Sequence, residues 1–402
     1  MNNIILFDDD HWKSLLPMTF TRPTADLRVG ILTIREKWEK YLDGTGSYIT
    51  QDYLSVKFPI HIEEINFVIN ARYLPNKRIA RLISQLEING ALLHDEILVA
   101  AKMKRDQFEK LINNQQLDEI DGLELADTFD EDDFIMRPHD IFRLNANEIR
   151  KDFDLMTVGR VSAAIPQNVT TSGNANIFIE EGATVQPCFL NASSGPIYIG
   201  KDSEVMEGAM IRGPFAMGLN SRVKMGAKIY GATSMGPFCK IGGEVNNVVL
   251  QAYSNKGHDG YLGNSVLGEW VNIGADTNSS NLKNNYTEVK TWDYSNDTFK
   301  NTGLQFCGCI LGDHTKVGIN TMFNTGTVTG VSCNIYGSGF PRTFIPSFSW
   351  GGKQGYSTYR IEKSIETAAK MMKRRGIDFS EEDKTILEHI FHYTSRYRHW
   401  EN

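Results

Sequence analysis

This chain of 402 residues predicts an α/β domain followed by a parallel β-helix and a pair of C-terminal helices. Three observations lead there. Short apolar runs alternate with helix-spaced stripes over the first third of the chain. An apolar residue then recurs every six positions through the middle. After about residue 345 the six-residue period gives way to two amphipathic stretches.

Bulk composition sets the frame. Hydrophobic residues at 41% and charged residues at 23% are ordinary for a globular protein. A formal net charge of -7 argues against general nucleic-acid binding, which needs a concentrated basic face. MNNIILFDDD lacks a basic n-region, and no apolar run approaches the roughly 20 residues that span a bilayer. Cys188, Cys239, Cys307, Cys309 and Cys333 form no disulfide framework, and Cys307-Gly308-Cys309 is too close for a zinc knuckle pair. They are expected as small core residues, and the compartment expected is the cytoplasm.

In the first third, Ile4–Phe7 suits a strand buried on both faces, ended by Asp8, Asp9 and Asp10. Ile31, Ile34, Trp38 and Tyr41 recur at helical spacing. Ile65–Ile69 is a second strand, and Pro75 opens a helix with Ile79, Leu82, Ile83 and Leu86 on one face. Leu92-Leu93 and Ile97–Ala100 read as strands around a turn. Such alternation predicts a mostly parallel sheet. The acidic run 127–133 suggests a boundary, with a connecting helix over Asn145–Phe153.

Two groups here could carry chemistry. Asp8, Asp9 and Asp10 could hold a hard cation such as Mg²⁺ beside phosphates, or form a solvated turn. Arg22, Arg28 and Lys37 could clamp a phosphorylated ligand, because guanidinium forks match phosphate oxygens; the alternative is pairing with nearby acids.

The repeat starts at Ile199 and continues through Val205, Ile211, Met217, Val223, Ile229, Met235 and Ile241. Four positions after each stands a mostly small residue: Ser203, Ala209, Phe215, Ser221, Ala227, Thr233, Cys239 and Val245. It resumes at Leu311, Val317, Phe323, Thr329 and Ile335. A period of six fits no face of a 3.6-residue helix, whereas a β-helix buries the repeated residue inside a stacked prism. Its ends need covering. The pattern stops near Phe340-Pro341, and helices are expected over Arg360–Arg375 and from Ser380, with Asp383 as capping partner.

The stretch 255–284 interrupts the array. Gly257-His258-x-x-Tyr261-Leu262-Gly263, Val271-Asn272-Ile273-Gly274-Ala275 and Asn281 resemble the acetyltransferase domain of the bifunctional N-acetylglucosamine-1-phosphate uridylyltransferase / glucosamine-1-phosphate acetyltransferase family. The likeness is specific over roughly residues 199–339. The T-F-T-R-P and L-R-x-G segments around Arg22 and Arg28 are similar to those of a divergent, short branch of that family. The resemblance implies a nucleotidyltransferase-like N-terminal domain, a left-handed β-helix, homotrimers, acetyl-CoA bound between neighbouring prisms, and sugar phosphate or nucleotide sugar as partner. It implies His258 as general base toward a sugar amine, the Ala275 amide as oxyanion donor, and Tyr261, Asn272 and Asn281 as sugar contacts.

The departures are equally specific. Asn246 and Asn247 stand where the family has a phosphate-binding lysine pair, Leu282 replaces a tyrosine, and 283–306 is an insertion. No glycine-rich nucleotide loop follows Phe7. A zinc reading of the β-helix would need three converging histidines, and only His258 and His314 lie in it.

The domains expected are a nucleotidyltransferase-like domain over 1–145, a connecting helix over 146–160, an acyltransferase-like β-helix over 161–345 and a helical tail over 346–402. The leading expectation is a sugar-directed acetyltransferase in nucleotide-sugar synthesis. Alternatives are nucleotidyl transfer as the main activity, or a non-catalytic sugar-nucleotide-binding or assembly protein.

Overall fold

The computed structural model describes every residue except 114, 117, 125–128 and 402. The chain divides into two compact units. One comprises 1–15, 22–27 and 32–136; the other comprises 16–21, 28–31 and 137–402.

The first unit is built from β1 (Asn2–Phe7), α1 (Ile34–Leu42), β2 (Gly44–Ile49), α2 (Asp52–Ser55), β3 (Ile65–Asn70), α3 (Lys77–Ser84), β4 (Gly90–His94), β5 (Ile97–Lys104), α4 (Arg105–Ile112) and β6 (Asp121–Glu124). Ile4, Ile5 and Leu6 of β1 are buried and Phe7 is half-buried in the sheet, whose order is β2-β1-β3-β5-β4-β6. Thr33 and Glu36 close a reciprocal capping box on α1. Trp38 on that helix is buried and donates to the Tyr73 carbonyl at 3.0 Å.

The expected mostly parallel sheet is instead mixed. β1–β2, β1–β3 and β4–β6 are parallel, but β5 runs antiparallel to both β3 and β4. The cause is local. Asp95 and Glu96, the two residues between β4 and β5, both have positive φ, 49° and 65°, the conformation of a tight two-residue hairpin. In the acidic run 127–133, residues 127 and 128 lie outside the described residues. The Asp133 carboxylate accepts from the Asn76 side chain and the Asp130 amide, and the Asp133 amide donates to the Asp130 carbonyl.

The second unit opens with α5 (Asp140–Thr157), longer than the helix expected over Asn145–Phe153. It begins after Pro138, where the Asp140 carboxylate accepts from the Arg137 amide at 2.9 Å; an acid in the first turn complements the helix dipole.

The β-helix follows, and its register is the predicted hexad. Three hexads make one turn, so Ile199, Met217 and Met235 stack in register on one face. Val205, Val223 and Ile241 stack on the second, and Ile211, Ile229 and Val245 on the third. The repeated apolar residues are essentially buried, and so are the small ones four positions later. Each buried aliphatic side chain stabilises the prism by about 1.5–3 kcal/mol. All five cysteines are free and buried as expected.

The β-helix runs past the expected stop. Phe344–Ile345 pairs with Val328–Thr329, and Ser349–Gly352 pairs with Asn334–Ile335. An antiparallel strand, Gly355–Thr358, then covers the edge. The glycines and proline around 337–341 are therefore a loop that returns to the wall. The insertion leaves the wall at Leu282 and rejoins at Phe306, which pair in an isolated bridge. Between them Lys290–Asp293 and Thr298–Asn301 form a hairpin. Its buried Asp293 meets Arg137 at 2.9 Å and Lys300 at 3.1 Å. The C-terminal helices are α6 (Ile361–Lys373) and α7 (Glu381–Tyr393), the latter with the expected Ser380/Asp383 capping box.

Candidate active site on the β-helix

The loop carrying His258 occupies a corner of the prism that only glycine permits. A Cβ on Gly243 (φ +71°) would lie 2.8 Å from the His258 carbonyl oxygen and 2.7 Å from that of Gly260. Gly260 (φ +107°) would press its own Cβ on the Thr277 carbonyl at 2.2 Å. The result is a short turn that presents His258 to solvent.

His258, Asn272 and Ala275 line one cavity of about 570 Å³. Three of the five sequence-predicted β-helix residues are thus brought together. The Ala275 amide has no hydrogen-bond acceptor within the described residues, as an oxyanion donor requires; its carbonyl accepts from Asn320 at 2.9 Å.

Sequence reasoning missed the remainder of the cavity wall. Lys224, Lys240, Arg374 and Arg375 line it too, and no carboxylate pairs with them among the described residues. Burial, and then repulsion from Arg375, Arg222, Lys224 and Arg374, lowers the Lys240 ammonium below the usual lysine value. Like charges thus crowd this side of the cavity. The available signal was the Arg374-Arg375 doublet at the end of α6, where the helix dipole favours cations.

Aromatic residues form a second wall. Phe238, Tyr253, Trp270 and His314 stack face to face up one corner, with centroid spacings of 5.1, 4.2 and 6.3 Å. Tyr253 and Trp270 line the cavity. All four have φ between 54° and 61°, a conformation that a bulky side chain adopts at a cost of order 1–3 kcal/mol. No sequence rule would place aromatics there.

Tyr261 and Asn281 are not on the cavity wall. They meet each other instead: the Asn281 amide donates to the Tyr261 hydroxyl at 3.0 Å and to Asn264 Oδ1 at 2.8 Å. Burial raises the Tyr261 phenol above its usual value, against hydrogen bonds from Asn281 and Asn246. Asn247 joins the same line of asparagines once its amide is turned to accept from Asn264.

Arg28 is buried, and belongs to the β-helix unit, whereas Arg22 and Lys37 belong to the first unit. Its amide donates to Gln251 Oε1 at 2.6 Å, its Nε to the Gln251 carbonyl at 3.2 Å, and an Nη to the Ile31 carbonyl. The next residues are equally committed: the Gly30 amide donates to Asn145 and the Ile31 amide to Asp152. The L-R-x-G segment is thus tied into the β-helix unit by its backbone and by the Arg28 side chain. Arg22 at 5% exposure and Lys37 at 1% are likewise internal.

Two of the three aspartates are engaged by neighbouring side chains. Asp9 is gripped by Arg72 at 2.6 Å and by Asn70 at 2.9 Å. Burial alone would raise its pKa, but Arg72 and Asn70 hold it below the usual range. Asp8 accepts from the Thr24 amide and the Thr50 hydroxyl, and burial pushes its carboxyl up. Asp10 is exposed and begins a short 3-10 turn. No cluster of three or more metal-ligating side chains occurs among the described residues.

Comparison with known proteins supplies the rest. Residues 4–161 match the family described as sugar nucleotidyl transferase. A bifunctional sugar-1-phosphate nucleotidylyltransferase/acetyltransferase of Sulfurisphaera tokodaii is 35% identical over 95 residues, covering 23% of each chain. The bifunctional protein GlmU of Rippkaea orientalis is 33% identical over 90 residues, 22% of this chain and 16% of that one. Over these segments the chain is similar to bifunctional nucleotidyltransferase/acetyltransferases. It spans less than a quarter of the length of these two relatives. The polySia-specific acetyltransferase NeuO matches at a TM-score of 0.30 and 14% identity, over 52% of this chain and 96% of its own; so low a score bears no weight here. No helix among the described residues is long and apolar enough to cross a membrane.

Proposed function

We propose that the β-helix unit transfers an acetyl group from acetyl-CoA to a sugar amine, and that the chain acts in nucleotide-sugar synthesis through its sugar nucleotidyl transferase domain. The observation that carries this reading is the convergence of His258, Asn272 and Ala275 with four unpaired cations on one cavity wall. The cations suit the phosphates of coenzyme A, and Tyr253 and Trp270 offer faces for its adenine.

An amine attacks a thioester only as the free base. His258 takes the amine proton as the new C–N bond forms, the Ala275 amide donates to the oxyanion, and the proton leaves with the thiol as the C–S bond breaks. Tyr261 and Asn281 then hold the sugar, in the homotrimer that the family resemblance implies, at a neighbouring prism. Asn246 and Asn247 provide no charge for a sugar phosphate, so the reading favours an acceptor recognised through its hydroxyls and amine.

The test is thiol release from acetyl-CoA with glucosamine or glucosamine-1-phosphate as acceptor, before and after His258→Ala. Unchanged release in the variant removes the reading. The match of residues 4–161 to sugar nucleotidyl transferases favours a second activity, nucleotidyl transfer itself. Pyrophosphate release from a nucleoside triphosphate plus a sugar 1-phosphate tests it. Stabilisation by nucleotide sugars without either turnover would mark a binding protein instead.

A further inference from the structure

One wall of the prism is apolar at successive levels, with Val185, Val205, Val223 and Ile241 in register below and Ile273, Val317 and Ile335 above. Between them stands a lysine. Ile241 pairs with Lys256, and the neighbouring Asn255 pairs with Asn272, which places Lys256 between Ile241 and Ile273. Lys256 is 1% exposed. Its Nζ donates to the Asp259 carbonyl at 2.8 Å and to the His258 carbonyl. That ammonium is the sole donor to the His258 carbonyl among the described residues.

The physics makes this placement informative. Burying an ammonium costs several kcal/mol, and a well-packed apolar side chain of similar volume is often neutral or stabilising in its place. Burial depresses Lys256 to about 8, with the Asp259 and Asp276 carboxylates opposing the shift. A hydrophobic residue would continue the apolar wall, so stability does not account for the lysine. Its hydrogen bonds do: they fall on the backbone of the turn that carries the imidazole. Elsewhere in the turn the Asp276 amide donates to the Asp259 carbonyl at 3.0 Å and the Glu244 amide to the Gly260 carbonyl at 3.2 Å, so the bond that falls on His258 itself is the one from Lys256.

We propose that Lys256 is a positioning residue, which fixes the backbone of the His258 turn from inside the prism so that the imidazole meets the acceptor amine. The proposal rests on the acetyl-transfer reading for its effect on rate, but the ordering of the turn can be measured without it.

The experiment uses the full chain with Lys256→Met, read three ways against the parent and His258→Ala. Lys256→Met should lower kcat for thiol release by about 10–100-fold with KM for acetyl-CoA within about threefold, the pattern of misplacement rather than lost binding. Amide exchange of residues 257–260 should quicken, and the melting temperature should be unchanged or higher. A variant that melts well below the parent shows a fold staple and overturns the proposal. So do unchanged exchange and a kcat within about twofold. If His258→Ala leaves thiol release intact, the acetyl-transfer reading fails by itself, and the exchange result still decides whether Lys256 orders the turn.

Discussion

The two units use their cations in opposite ways. In the N-terminal unit Arg72 and Lys37 are 1% exposed and Arg22 is 5% exposed, and Arg72 is spent on Asp9. At the β-helix cavity Lys224, Lys240, Arg374 and Arg375 gather around one space without carboxylate partners among the described residues. A cation spent on an internal carboxylate holds a fold together. Unneutralised cations crowded around a cavity are destabilising alone, and their placement makes sense as a site for an anion.

Four substitutions would break or sharpen that contrast. His258→Ala should cut acetyl transfer by about 10²–10⁴-fold while the melting temperature stays put; parallel rate and unfolding measurements check it. Arg72→Met should act in the other way, removing about 3 kcal/mol from the N-terminal unit because Asp9 is left half-buried and unpaired. Denaturant unfolding followed by amide exchange in β1 and β3 would register the loss.

The same pair sets a pH dependence. The folded Asp9 pKa lies below its unfolded value, so its contribution is present above the unfolded carboxylate range and is lost as pH falls through the folded value. Arg72→Met should flatten that acid limb. Of similar size is Ile229→Ala, in the β-helix core, which should cost about 2–5 kcal/mol and be visible in the same unfolding curve without changing nucleotide chemistry. The last is Arg375→Glu, which should weaken coenzyme A binding by about tenfold or more and steepen nothing in stability. Calorimetry at two salt concentrations would show the affinity gap narrowing as salt screens the phosphates.

The β-helix was legible because its period is a property of adjacent residues. Ile199, Val205 and Ile211 announce three faces before any contact is known, and the register of the strands follows from them. The His258 turn was legible by likeness. The rest depends on distance. Whether Arg28 faces a ligand or Gln251 is decided by a residue far along the chain. The direction of β5 turns on two positive-φ residues, Asp95 and Glu96, that carry no glycine or asparagine signal. Lys256 fills an interior position of the array, and no local signal marks it as such.

Trp270 gives the cavity an optical consequence. Its indole stacks at 4.2 Å on Tyr253 and forms part of the cavity wall. An indole held against a π-face is sensitive to whatever purine or cation arrives beside it. Emission from Trp270, isolated by replacing the other tryptophans with phenylalanine, should change on addition of coenzyme A. Such a change would be a fluorescent readout of occupancy from the cavity wall that also holds His258.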